Sequence, residues 1–350
     1  MVFFVILSFL LSVFFIAVVI RFCDKYQLFD KVNKRKIHTG NIARLGGAGF
    51  IPAFLIAALI YTFTSEPSFI VHILPIVFSG LLIFIFGLLD DIFDLRARLK
   101  LLIQVIAAAI LIFSGYQFKQ ICFIKLAVPF QYILTFFWIL GMINAFNLID
   151  GIDGLCGGIS LLSICSLGII YYRSARPIAV ICFILSAAIT GFLVFNYPPA
   201  KIFMGDGGSQ FLGFMIAALP LYKSTTNFEY NKFLLMCVIV SIPMIDTFAA
   251  IWRRTREHRS LLSSDSAHIH HKLINIGFTR KQVLFLLISV QALLCLTAGL
   301  AMYLQEFKGA VLLFVALLFI MAFFGFIHFT NRAVNRERRG KLAENPEKGK

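Results

Sequence analysis

Eleven apolar runs, each about 15–22 residues long, divide the chain and leave few folds open to it. They cover residues 2–20, 46–63, 70–89, 101–115, 130–146, 155–172, 177–195, 209–222, 232–252, 282–304 and 309–330. A helix of about 20 apolar residues crosses a bilayer, and every backbone N–H and C=O inside it must find a partner within the protein. Only helices and closed barrels meet that demand, and a barrel would show short alternating segments in place of continuous runs. With 60% hydrophobic and 14% charged residues and a mean hydropathy of +0.89, the composition excludes a soluble enzyme or a nucleic-acid-binding domain. The expected fold is an all-α polytopic membrane protein with about eleven transmembrane helices. Residues 2–20 have no basic residue before them and no small-residue cleavage pattern after them, so they read as a retained first helix. The seven cysteines are scattered, without a Cys-x-x-Cys pair, and read as small buried hydrophobes.

The charge is +15, and its placement carries more than its size. Of the 32 basic residues, 25 fall in the alternate loops 21–45, 90–100, 196–208 and 253–281 and in the tail from 331. Basic residues mark cytoplasmic loops, so the N-terminus is expected outside and the C-terminus in the cytoplasm. The acids sort the same way, which that rule does not require: only Glu66, Glu229 and Glu306 fall on the other side. Residues 116–129 alternate loosely and are expected to form a small external β-hairpin. Residues 1–330 then form one integral membrane domain whose cytoplasmic loops, 144–154 among them, hold the chemistry. Residues 331–350 form a basic cytoplasmic tail, a frayed helix or a disordered end lying against anionic lipid.

Five stretches break the apolar pattern. Residues 144–158 read Asn-Ala-Phe-Asn-Leu-Ile-Asp-Gly-Ile-Asp-Gly-Leu-Cys-Gly-Gly, with Asp150 and Asp153 three apart among glycines and with Asn144 and Asn147 close by. A carboxylate costs about 2.5–3.5 kcal/mol at the centre of an inserted helix, and a helix cap explains only one of the two. In 87–96, Asp90 and Asp94 share a helix face with Asp91 beside them; such a cluster suits magnesium, or a helix end paired with Arg96, Arg98 and Lys100. In 203–213, Phe-Met-Gly-Asp-Gly-Gly-Ser-Gln-Phe-Leu-Gly, Asp206 stands at a helix start, where exposed backbone N–H groups and a carboxylate would suit a phosphate with a metal. His268, His270 and His271 follow four arginines and lack zinc-site spacing, so a pyrophosphate is the better partner. Arg35, Lys36, His38 and Arg44 precede Gly46-Gly47 in a basic loop that also suits anionic lipid. Asp246, near the end of the ninth run, reads as a partner for Arg253 or Arg254.

In their order and on one predicted face, these stretches resemble the polyprenyl-phosphate N-acetylhexosamine-1-phosphate transferases, relatives of the phospho-MurNAc-pentapeptide translocase. The matching residues are Arg35-Lys36-Ile37-His38 through Gly47, Asp90-Asp91-Ile92-Phe93-Asp94, 144–158, 203–213 and 263–273. The resemblance implies transfer of a sugar 1-phosphate, most simply that of GlcNAc, from a UDP-sugar to undecaprenyl phosphate with release of UMP, in a bacterial inner membrane. It implies magnesium, or manganese in its place, on Asp206 with Asp91. It implies Asp90 and Asp91 activating the lipid phosphate, and Asp150, Asp153 and Asn147 positioning substrate. Phe203 would stack on uracil, and Arg35, Lys36, His38, Arg44, His268, His270 and His271 would face the nucleotide diphosphate. Direct in-line attack and a phospho-Asp intermediate both remain open. Ile42-Ala43-Arg44-Leu45-Gly46-Gly47 and His268-Ile269-His270-His271 depart from the muramyl-pentapeptide branch and resemble the branch that starts O-antigen, common antigen or teichoic acid linkage units, although that branch's first-loop proline is missing near Ala43. Membrane lipids and a second copy of the chain are further partners compatible with this reading; nucleic acid is not. A transporter or flippase would need acids at mid-membrane depth and on both sides, and an intramembrane aspartyl protease would need Asp206 to face Asp246.

Overall fold

A computed structural model describes residues 1–29, 42–223, 228–260, 267–304 and 306–344. The helices are α1 (Val2–Tyr26), α2 (Gly47–Ser65), α3 (Ile70–Phe93), α4 (Ala97–Phe113), α5 (Val128–Ile149), α6 (Leu155–Tyr171) and α7 (Arg176–Asn196). They continue with α8 (Gly205–Ala218), α9 (Phe228–Ile239), α10 (Ser241–Arg256), α11 (Ile269–Ile276), α12 (Arg280–Ala301) and α13 (Glu306–Glu344). Between α4 and α5, β1 (Gln120–Ile121) pairs antiparallel with β2 (Ile124–Lys125), the hairpin expected at 116–129. Among the described residues, seven helices are long and apolar enough to cross a membrane, or eight if α9 and α10 form one bent span. This is an all-α polytopic membrane protein. α4, α6 and α8 are shorter, at 17, 17 and 14 residues.

α8 is the centre. From Gly207 to Ala218 every one of its residues is buried, against α2, α3, α5 and α6, which is why its sequence is apolar all round from Phe211 on. α1 lies at the periphery, with Phe3, Ile6, Leu10, Phe14 and Val18 exposed along one stripe. Its other face docks on α7 through two interhelical hydrogen bonds, from Ser8 Oγ to the Ile184 carbonyl (2.8 Å) and from Ser12 Oγ to the Ala188 carbonyl (2.7 Å). Lipid tails are as apolar as leucine, so such polar contacts and small residues hold helices together where water cannot drive them.

The ninth apolar run does not cross as one rod. It breaks between α9 and α10 with a 67° bend. Pro243 has no N–H to offer the carbonyl of Ile239, four residues earlier. Gln291 of α12, fully buried, supplies the missing donor: its Nε2 lies 2.8 Å from the Ile239 oxygen. Of the two forms expected for the tail, a frayed helix or a disordered end, the structure has helix, since α13 runs on to Glu344. Its end is pinned to α11 by Asn275, whose Nδ2 donates to Asn331 Oδ1 (2.7 Å) and Asn335 Oδ1 (2.9 Å) while Arg338 donates to its oxygens.

Contacts sort the helix ends into two groups. At one end, Tyr116 Oη donates to the His72 carbonyl, Tyr171 Oη to that of Pro220 (2.9 Å) and Asn231 Nδ2 to that of Glu306 (3.0 Å). At the other end meet the C-termini of α3, α5 and α7, the N-termini of α4 and α8, and α11.

Candidate active site

The N-terminus of α8 is the anchor of that second end. Residues 43–47 are knitted to the segment before it: Phe203 N donates to the Ala43 carbonyl (2.7 Å), Gly46 N to that of Phe203 (2.9 Å) and Gly47 N to that of Met204 (2.9 Å). Asp91, at the end of α3 and buried, closes the joint. Its Oδ1 accepts from Asp206 N (2.8 Å) and its Oδ2 from Gly207 N (3.0 Å), while Arg44 Nε lies 3.2 Å from Oδ1. These are two of the N–H groups that a helix start leaves without partners. The expectation of a free N–H cradle for phosphate here is therefore corrected: Asp91 already fills it. The glycines serve close packing instead. A Cβ on Gly87 would sit 2.6 Å from the Gly207 Cα, and one on Gly47 2.7 Å from Gly208 N.

Around that joint the charges interlock. Lys100, from the start of α4, places its ammonium against Asp90 Oδ2 and 3.2 Å from Asp206 Oδ2. Asp90 is buried, and its Oδ1 accepts from Leu95 N (2.7 Å) across the turn between α3 and α4. Arg44 Nη2 lies 4.0 Å from Asp206 Oδ1. An amide chain leads away from Asp206: Gln210 Nε2 at 3.4 Å, then Gln104 donating to Gln210 (3.2 Å), then Asn144 donating to Gln104 (2.8 Å).

Residues 144–158 reach the cluster from α5. Asp150 follows its last residue, and burial with the charges of Asp206, Asp91 and Asp153 pushes its carboxyl up to about 8. Asp153 has a more structural position, since its Oδ2 accepts from Ala200 N (3.1 Å). Asn196, at the end of α7, ties the same loops: its Oδ1 accepts from Gly154 N (2.9 Å) and its Nδ2 donates to the Ile202 carbonyl (2.7 Å). Asn147 and Phe203 are half-buried at the edge.

The histidines close the far side. The His270 ring packs on Gly151, where any side chain would collide with it. Burial, with His271 beside it, pushes His270 down to about 3, so it is uncharged at neutral pH. His268, His270 and His271 form a ring series, with centroids 5.9 Å and then 4.3 Å apart. Asp246 does not lead to Arg253 or Arg254 as expected; its Oδ2 lies 2.8 Å from His268 Nδ1 and its Oδ1 accepts from Ile269 N (2.8 Å).

The structure thus brings Asp90, Asp91, Asp206, Arg44, Asp150, Asp153, His268, His270 and His271 to one end of the bundle. Arg35, Lys36, His38 and Asp265 lie outside the described residues. Sequence reasoning passed over Lys100, Asp246, Gln104, Gln210 and Asn196 as site residues. Only Asp246 carried a clear signal, as an acid inside an apolar run.

Among the described residues, no three His, Cys, Asp or Glu side chains are grouped to hold a metal ion by themselves. Magnesium characteristically takes one or two carboxylates and completes its shell with water and substrate phosphate. Asp206, partly exposed and already facing two cationic side chains, fits that donor set.

A profile of glycosyl transferase family 4 matches residues 73–224, which contain every acid of the cluster. The chain is 33% identical over 337 residues to the undecaprenyl-phosphate alpha-N-acetylglucosaminyl 1-phosphate transferase of Escherichia coli (strain K12), covering 93% of this chain and 89% of the relative. It is 32% identical over 336 residues to the Yersinia pestis protein of the same name, covering 93% and 90%. A probable undecaprenyl-phosphate N-acetylglucosaminyl 1-phosphate transferase of Bacillus subtilis (strain 168) is 30% identical over 324 residues, covering 89% and 88%. With similarity running almost end to end, the chain belongs to glycosyl transferase family 4, in the branch of the undecaprenyl-phosphate N-acetylglucosaminyl 1-phosphate transferases.

Proposed function

We propose that the protein transfers an N-acetylhexosamine 1-phosphate, most simply that of GlcNAc, from a UDP-sugar to undecaprenyl phosphate, leaving UMP and a lipid diphosphosugar. One observation carries this reading: Asp206, Asp90, Lys100 and Arg44 meet the Asp150 loop and the histidine segment at a single end of the bundle. The names of the relatives supply the reaction. A transporter relay is disfavoured by the same clustering.

In this mechanism a non-bridging oxygen of the lipid phosphate attacks the β-phosphorus of the UDP-sugar. The bond from that phosphorus to the bridging oxygen breaks, and UMP leaves with the electron pair. Phosphate monoesters lose their second proton near pH 6, so the nucleophile arrives largely as the dianion and needs no strong base. Two unit charges 4 Å apart repel by about 4 kcal/mol at an effective dielectric of 20. Lys100 and Arg44 offset that repulsion, and Asp90, fixed by Leu95 N, aims the lysine. Asp206 with Asp90 beside it would hold magnesium or manganese, which would supply charge neutralisation at the diphosphate and the leaving UMP. Asp91 holds Asp206 in place. Direct attack is preferred to a phospho-Asp because Asp90 and Asp91 are both already engaged by N–H and cationic partners. Phe203 stacks on the base, the uncharged His270 hydrogen-bonds substrate, and Asp150, Asn147 and Asp153 shape the sugar side.

The site faces the cytoplasm of a bacterial inner membrane in this reading, with all eleven apolar runs crossing and the N-terminus outside. Supporting this are the alternate-loop bias of 25 of 32 basic residues and the way α4 runs beside α3 to the Tyr116–His72 contact. The test is UMP release by purified protein given magnesium, undecaprenyl phosphate and a panel of UDP-sugars. Release with UDP-GlcNAc, lost in Asp206→Asn, is expected. No UMP from any UDP-N-acetylhexosamine overturns the activity, and an unimpaired Asp206→Asn removes Asp206 as the metal ligand.

A further inference from the structure

Asp246 lies outside every stretch that the sequence marked for chemistry, yet it spends both oxygens on the histidine segment. It projects from α10 and is buried, as is His268, with side-chain exposures of 2% and 6%. One oxygen accepts from the Ile269 N–H and fixes the backbone at the start of α11; the other lies 2.8 Å from His268 Nδ1. A carboxylate facing a ring nitrogen requires a proton on that nitrogen. In the neutral ring, Nε2 is then left as a bare acceptor. The His268 ring lies nearly parallel to that of His270, at 12°, and His270 rests on Gly151 beside Asp150. The orientation of His268 therefore reaches the acidic loop through two side chains.

We propose that Asp246 is a positioning residue for the transfer reaction: it holds His268 in the Nδ1–H tautomer, with Nε2 turned to the substrate. The proposal rests on the transferase reading above, and its role is distinct from a plain helix cap. A cap needs only the Ile269 contact, which an asparagine would keep. Asparagine would offer its amide N–H to His268 Nδ1 and move the ring proton to Nε2.

The experiment combines two readouts on the full-length protein in detergent. In protein with isotope-labelled histidine, the His268 signal, assigned by its loss in His268→Gln, is expected to show the proton on Nδ1, and on Nε2 in Asp246→Asn. UMP release by Asp246→Asn is expected to fall at least tenfold in kcat, with the wild-type melting midpoint. Adding Asp246→Asn to His268→Gln is expected to cost less than a further twofold. A bare Nδ1 in the wild-type protein overturns the proposal even if the variant fails to fold. So does wild-type kcat in a folded Asp246→Asn, or losses that multiply in the double variant. If the wild-type protein releases no UMP, the transferase reading fails, while the tautomer measurement stands on its own.

Discussion

Replacing Asp91 by asparagine separates an anchor from a metal ligand. The carboxylate accepts from two N–H groups of α8, at 2.8 and 3.0 Å, and from Arg44 at 3.2 Å. An amide of the same shape has one acceptor, so one of the two N–H groups would face an NH2 donor. A hydrogen bond to a charged group contributes about 1.5–3 kcal/mol, and a buried N–H left without a partner costs about 1–3 kcal/mol. These are two measures of one lost contact, so the seat of α8 should lose about 1.5–3 kcal/mol on that reckoning. Asp206 begins at the same N–H, and a reacting group misplaced by about 1 Å can cost about 100-fold in rate. Asp91→Asn is therefore expected to lower the melting midpoint in detergent and to cut kcat for UMP release about 100-fold at saturating magnesium, with an unchanged magnesium midpoint. Asp206→Asn is expected to lose activity with a smaller loss of stability, because it gives up only the partly exposed ionic contacts to Lys100 and Arg44. If Asp91→Asn melts like the wild type and recovers activity as magnesium is raised, Asp91 is a ligand and the anchoring argument fails.

Two further perturbations test other parts of the fold. Asp150 keeps its proton to about pH 8 in the folded chain but would ionise near pH 3.9 when unfolded, so the folded state holds the extra proton between those values. Stability should fall as pH rises through that window, by up to about 1.4 kcal/mol per unit, and Asp150→Asn should flatten the slope of melting midpoint against pH; an unchanged slope refutes the assignment. Gln291→Leu leaves the Ile239 carbonyl without its donor at the α9–α10 bend and should destabilise by about 1–2 kcal/mol, read as a lower melting midpoint; a neutral effect would show that the bend does not need this contact.

The sequence carried the locations of the chemistry better than its partnerships. Charges in an apolar chain are costly, so Asp90, Asp91, Asp150, Asp153 and Asp206 stood out, and alternate-loop sorting gathered them at one end. What each acid touches depends on residues far away along the chain. Asp91 meets Asp206 at a separation of 115 residues, Gln291 meets Ile239 at 52, and Asp246 meets His268 at 22. No periodicity encodes such pairings. The Gly-Asp-Gly-Gly stretch misled for a related reason: a glycine that frees backbone for a phosphate and one that admits a neighbouring helix look alike in sequence. Only the approach of Gly87 and Gly47 to Gly207 and Gly208 separates them. The eleven apolar runs are all helical, the ninth as two helices bent at the α9–α10 break, but length alone could not show that α8 is apolar because protein surrounds it.

The charge balance of the site explains how a pocket rich in acids can receive two polyanions. Asp90, Asp91, Asp206 and Asp150 face Lys100 and Arg44, so four acids meet two bases among the described residues. Protonation of Asp150 removes one of the four charges, and Asp91 directs its own inward to the α8 backbone. What remains is close to neutral, with Lys100 and Arg44 held beside Asp206. A fully basic pocket would bind the nucleotide sugar tightly but would hold UMP as well, and equal binding of ground and transition states gains nothing in kcat. In a near-neutral pocket Lys100 and Arg44 still offset part of the repulsion between donor and acceptor, and a divalent cation bound with the diphosphate would offset the rest. The acids then have a physical reason to be there: they keep Lys100 and Arg44 oriented and keep the product from being held.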